Sequence, residues 1–233
     1  LKHNVDATAT RPLRQGPPVE AWFSDTLLPA DPTLDNALKA NTAAFLDQVD
    51  VAPNQGKLLY LLAKINHAKR VLEVGTLGGY SSIWFAKALP LDGQVVTLEI
   101  EPEHAKVAKS NIKNAGFSHI VDIRLGPALD TLEKMGQDPA TGVFDVVFID
   151  ADKENNPGYL EWALKFSHVG TVIVIDNVVR GGGIVDPEDK TPAVKGVRKV
   201  FEMMKSDKRL EATAIQTVGS KGWDGFAVAI VVE

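Results

Sequence analysis

Cysteine is absent from the chain. Disulfides, thiolate metal ligands and thiol nucleophiles are thereby excluded, and a reducing, cytoplasmic setting is expected. Long apolar runs are also missing: no stretch approaches the roughly 20 residues that span a bilayer, so no membrane partner is expected. Basic clusters are missing too. The 25 basic side chains are outnumbered by 30 acidic ones, for a net charge of -5, and a nucleic-acid partner would leave a basic footprint. The opening "LKHNVDATATRPLRQGPP" lacks the apolar stretch of a secretory signal. Residues 1–30 read as an N-terminal arm with the composition of a flexible segment.

Several chemical signatures are absent as well. There is no G-x-G-x-x-G, which a nicotinamide-dependent oxidoreductase would need after its first strand. There is no Gly-Lys-Ser/Thr phosphate loop and no G-x-S-x-G nucleophile elbow. His3, His67, His104, His119 and His168 are scattered, with no pair at zinc-ligand spacing.

What the chain has is alternation. With 233 residues and a hydrophobic fraction of 45%, it suits one α/β domain over residues 31–233. Leu34, Leu38, Phe45 and Val49 predict a helix over 32–49, and a second follows over 51–66. Strands are expected at 70–75, 94–100, 120–126, 144–150 and 170–176. Helices are expected at 80–89, 102–116, 127–136, 156–168 and 193–207. Two β-rich runs, 210–218 and 224–233, flank "GSKGW" as a hairpin. Five strands alternating with helices imply a parallel sheet covered on both faces, to which the hairpin adds an antiparallel strand.

In such a sheet ligands bind beyond the carboxyl ends of the strands. Those ends are Glu73 to Gly79, Glu99, Gly126 to Ala128, Asp150 to Lys153, and Asp176 with Asn177. In "EVGTLGGYSS" the glycines let the backbone turn tightly ahead of a helix N-terminus. Glu99 suits a ribose diol. If the strands ending at Asp150 and Asp176 are neighbours, Asp150, Asp176 and Asn177 form a hard, all-oxygen set fit for Mg²⁺, Ca²⁺ or Mn²⁺.

These stretches carry a resemblance. "VLEVGTLGGYSS", "TLEIEPEHAKVAKSNIKNAG", "GPALDTL", "FDVVFIDADKENN" and "VIDNVVRGG" resemble the cation-dependent class I O-methyltransferases that use S-adenosylmethionine. That group contains the caffeoyl-CoA and catechol O-methyltransferases, and the small fungal and bacterial type is nearest. The resemblance spans roughly residues 50–233. It implies a Rossmann-like, mostly parallel seven-stranded sheet with a C-terminal antiparallel hairpin. It implies S-adenosylmethionine lined by Glu73, Gly75, Thr76, Ser81, Glu99, Ile100, Ala128 and Asp150. It implies a divalent cation, Mg²⁺ first, on Asp150, Asp176 and Asn177, with Lys153 taking the proton of a small phenolic acceptor. A homodimer is also implied. A non-catalytic S-adenosylmethionine-binding protein would keep the cofactor residues without needing the others. "VAPNQG" and "VVRGGGIVDPEDKTP" depart from the plant enzymes of the group. Trp84 and Trp162 are expected in the core, and Trp223 is the better candidate for a substrate wall. Arg180 with Gly181–Gly183 is a candidate flap.

Overall fold

Short runs rich in β-branched residues make seven strands: β1 (Arg70–Val74), β2 (Gln94–Glu99), β3 (Val121–Leu125), β4 (Val146–Ile149), β5 (Val172–Asp176), β6 (Leu210–Gly219) and β7 (Gly222–Val231). They form one sheet in the order β3-β2-β1-β4-β5-β7-β6. The first five run parallel; β7 pairs antiparallel with both β5 and β6. The computed structural model describes residues 16–233.

Among the described residues, eight helices accompany the sheet: α1 (Gly16–Leu27), α2 (Pro32–Ala43), α3 (Pro53–Ile65), α4 (Tyr80–Ala88), α5 (Pro102–Asn114), α6 (Ala128–Gln137), α7 (Asn156–Lys165) and α8 (Pro192–Ser206). Six of them, α1, α2, α3, α5, α7 and α8, carry proline in the first turn, where the missing N–H costs nothing. Alternate strand residues point to opposite faces. Val71, Val146 and Phe148 meet α2, α3, α4 and α5 through Leu34, Leu59, Phe85 and Ile112. Leu72, Val147 and Ile149 meet α6, α7 and α8 through Leu132, Leu160 and Val197. Both faces are thereby covered, as parallel strands require.

One helix boundary is corrected here. The helix expected over 32–49 ends at Ala43. Phe45 takes a left-handed φ of 57° and is 94% exposed, and Val49 is 65% exposed, so their helical spacing with Leu34 and Leu38 is accidental. The triple-glycine segment, a candidate flap, is tied to α8. Residues Arg180–Val185 form a kinked turn with left-handed φ at Arg180, Gly181 and Gly182, and Arg198 of α8 donates to the carbonyls of Gly183, Ile184, Asp186 and Asp189. Trp223 lies over Gly182 and donates to Gln216 at 2.9 Å. Trp84 is buried, and Trp162 is half-buried and stacked on Phe166. Of the arm expected over residues 1–30, residues 1–15 lie outside the described residues and Gly16–Leu27 are helical.

Candidate active site

Ile149 of β4 pairs with Ile175 of β5. The next residues are Asp150 and Asp176, so two aspartates stand at the ends of neighbouring strands, whose backbones lie about 4.8 Å apart, at the open edge. Asp176 is buried, and burial together with the Asp150 charge pushes its carboxyl well above the usual range. Gln55 Nε2 donates to Asp176 Oδ2 at 2.8 Å, and the Asn177 N–H donates to Oδ1 at 2.8 Å. Asn177 itself has a φ of 55°, a conformation asparagine tolerates better than most residues. Lys153 is buried and donates from Nζ to Asp150 Oδ1 at 2.8 Å. Its 3₁₀ turn, Lys153–Asn155, packs against Gly196 of α8.

The glycine turn after β1 is set by its neighbours. A Cβ on Gly75 would lie 2.3 Å from the Asp150 carbonyl oxygen, and one on Gly78 would lie 1.9 Å from Asn41 Oδ1. Gly78 is thus needed for α2 to dock, by way of a side chain tied to Asn111 at 2.9 Å and to Asp50 at 2.8 Å. Leu77 between them takes a left-handed φ of 50°, a strained conformation for a bulky residue. Glu99 holds it there: its Oε2 accepts the N–H groups of Leu77 at 2.7 Å and Thr76 at 3.3 Å. Oε1 accepts those of Ile100 and Glu101, both at 2.9 Å. Four backbone donors fix this carboxylate before any ligand arrives.

Gly75, Thr76, Ser81, Glu99, Ile100, Ala128, Asp150, Lys153 and Asn177 all line one cleft of about 360 Å³. Asp176 lies in an adjoining cavity, which Asn177 also lines. Glu73 lines neither, contrary to expectation. It is fully buried beneath the glycine turn, where its Oε2 accepts the hydroxyls of Ser82 and, at 2.6 Å, Thr97. Burial raises its carboxyl to about 7, against the lowering effect of the Ser81, Ser82 and Thr97 hydroxyls.

The cleft also holds residues that strand-end reasoning missed: Asp50, His104 and Tyr159. Asp50 lies in the loop before α3, and burial raises its carboxyl. Tyr159 donates to Asp152 at 2.5 Å, which with burial holds its proton on. Only Tyr159 left a sequence signal, as a tyrosine in the helix directly after the charged strand end. Among the described residues no three His, Cys, Asp or Glu side chains gather as a metal cluster; the Asp150, Asp176 and Asn177 set contains two carboxylates and an amide.

Sheet order, glycine turn and acid-tipped strands define a Rossmann-like methyltransferase fold. Residues 27–226 match the family described as O-methyltransferase, and the chain belongs to that family. It is 52% identical over 215 residues to a catechol O-methyltransferase of Mycobacterium tuberculosis, covering 92% of this chain and 96% of that protein. An O-methyltransferase from Bacillus cereus, solved in complex with SAH, superposes with a TM-score of 0.92 at 49% identity, over 94% of this chain and 100% of that one. TomG from Streptomyces achromogenes, an O-methyltransferase solved with SAM, gives 0.91 at 45% identity, over 95% and 99%. This membership, with the missing G-x-G-x-x-G, sets the nicotinamide reading aside. Among the described residues no helix is long and apolar enough to cross a membrane.

Proposed function

We propose that this chain moves the methyl group of S-adenosylmethionine to a hydroxyl of a small catechol-like acceptor, with a divalent cation held by Asp150, Asp176 and Asn177. The observation that carries the reading is the pair of adjoining carboxylates at the tips of β4 and β5, one of them buried. Two such charges destabilise each other unless a proton or a cation lies between them. The donor set is all oxygen, which suits Mg²⁺ foremost, with Ca²⁺ and Mn²⁺ as the other candidates. When bound, such a cation stabilises a phenolate that would otherwise be scarce at neutral pH.

The chain's own residues then have separate tasks. Ser81, Thr76, Glu99, Ile100 and Ala128 line the cleft that would take the cofactor, and its sulfonium carries the electrophilic methyl. Glu99 is the ribose candidate, held rigid by its four backbone donors. Lys153 stands beside Asp150, and in its neutral amine form Nζ would take the acceptor's hydroxyl proton. The acceptor oxygen attacks the methyl carbon in line as the C–S bond breaks. Alignment is the chain's main contribution.

The test is methyl transfer to catechols in Mg²⁺ and in excess EDTA. Turnover should vanish in EDTA and return with metal. Asp176→Ala should lose more than about 100-fold, beyond the loss typical of outer-sphere changes, while still binding S-adenosylhomocysteine. Metal-dependent turnover that survives in Asp176→Ala would remove that residue from the site.

A further inference from the structure

The cleft does not end at Asn177. Val49, Asp50, Val51 and Asn177 also line a second cavity of about 660 Å³, which contains Asp176. The outer wall of that cavity comes from α1 and the β6–β7 hairpin, and it sets four large apolar side chains among Glu20, Thr217, Lys221 and Asp224. Val19 (48% exposed), Phe23 (44%), Ile215 (53%) and Val218 (42%) all line it while remaining largely uncovered. Leu58 and Phe226 add to the apolar lining, as do Val49, Val51 and Ala52.

Most polar groups around this cavity are engaged by the protein itself. Gln55 donates to Asp176, and Lys221 Nζ donates to the Gln48 carbonyl at 2.7 Å. Asp224 accepts the N–H groups of Val179 at 2.9 Å and Arg180 at 3.1 Å. Glu20 of α1 accepts the Ser220 N–H and lies within 2.5 Å of where a Cβ on Gly219 would stand. That contact ties α1 to the hairpin. What the wall has left to offer a ligand is mainly apolar contact. Several uncovered apolar side chains converging on one hollow mark a binding surface.

Size points the same way. Cavities of about 300–1,000 Å³ suit drug-sized ligands, whereas a bare catechol is a single ring bearing two hydroxyls. Resting on the proposed function, we infer that the acceptor carries an extended, mostly apolar substituent, and that Val19 and Phe23 of α1, with Ile215 and Val218 of the hairpin, bind it. The hydroxyl end lies toward Asp176 and Asn177, where cavity and cleft meet. α1 is then a determinant of acceptor choice.

The test compares the affinities of catechol and 4-hexylcatechol by calorimetry on the full chain, with S-adenosylhomocysteine and Mg²⁺ present. Wild type, Phe23→Ala, Ile215→Ala and the control Ile65→Ala are measured, and turnover of both acceptors is followed separately. Ile65 lies on α3, 74% exposed and outside both cavities. Each buried methylene gives roughly a fourfold gain in affinity, so 4-hexylcatechol should bind wild type at least about tenfold more tightly. Phe23→Ala and Ile215→Ala should each cut that ratio about fivefold, and Ile65→Ala should keep it. Equal affinities in wild type, or a ratio untouched by both substitutions, overturns the inference. A ratio that behaves as expected without any methylation supports the inference and defeats the methyl-transfer reading instead. Equal affinities together with a dimer that dissociates in Phe23→Ala would give the wall to a second copy of the chain, and would also overturn it.

Discussion

Glu73 and Asp176 are buried carboxyls near the same sheet edge, and their surroundings differ in kind. Glu73 is met by hydroxyls, Asp176 by another carboxylate. Glu73 is accommodated by keeping its proton up to about pH 7, whereas in an unfolded chain it would lose it near 4.5. The folded state therefore binds more protons across that window, and stability falls as pH rises through it. The cost is absent below the lower value, complete above the upper one, and of order 3 kcal/mol. Glu73→Gln mimics the protonated form. Its stability gain over wild type in urea unfolding should be near zero at acidic pH and grow toward about 3 kcal/mol at pH 8. A gain that does not change with pH would refute buried protonation. Legibility at this scale followed chain position. Residues at strand ends were readable because a parallel sheet sends its ligands there. Gln55 was not, since it reaches Asp176 across 121 positions from the start of a different helix. Glu73 was misplaced because strand alternation turns it under the glycine turn rather than toward the cleft.

The elements of the parallel half were legible because proline starts and apolar strand runs mark them directly. Their ends were less so. Phe45 and Val49 continue a helical spacing beyond α2, but burial decides, and neither is buried. Glycine inside α8 shows the same tension between local rule and packing. Alanine is normally better than glycine in a helix interior by about 1 kcal/mol, so Gly196→Ala should stabilise if α8 stood alone. It does not stand alone: a Cβ at 196 would lie 2.1 Å from the Lys153 carbonyl oxygen. The substitution should instead destabilise by about 1–3 kcal/mol, as overpacking does. It should also shift the turn that carries Lys153, lowering kcat more than cofactor affinity. Thermal unfolding with steady-state kinetics checks both effects. A stabilised, fully active variant would show that α8 does not hold that turn.

At the scale of the whole molecule, the seven-stranded order was legible from alternation plus a closing hairpin. The pocket between α1 and that hairpin was not, because it joins residues about 200 positions apart. Cation binding should be visible in global stability, since a ligand that binds only the folded state adds free energy. Mg²⁺ at 100 times its Kd adds about 2.7 kcal/mol, a rise in Tm of about 5–10 °C for a chain of this length. Scans in Mg²⁺ and in EDTA, without acceptor, should show that rise in wild type and lose it in Asp176→Asn. A wild-type Tm indifferent to Mg²⁺ would count against the cation site. The sheet order has one more consequence. The glycine turn, Glu99 and Ala128 all precede the exposed α6–β4 connection, while Asp150, Lys153, Asp176 and Asn177 all follow it. The two groups meet where β1 lies against β4. A chain severed in that connection would separate the fragment proposed to grip the cofactor from the one proposed to activate the acceptor. Methyl transfer would then act as a complementation signal, returning only when the two fragments rejoin along that ladder.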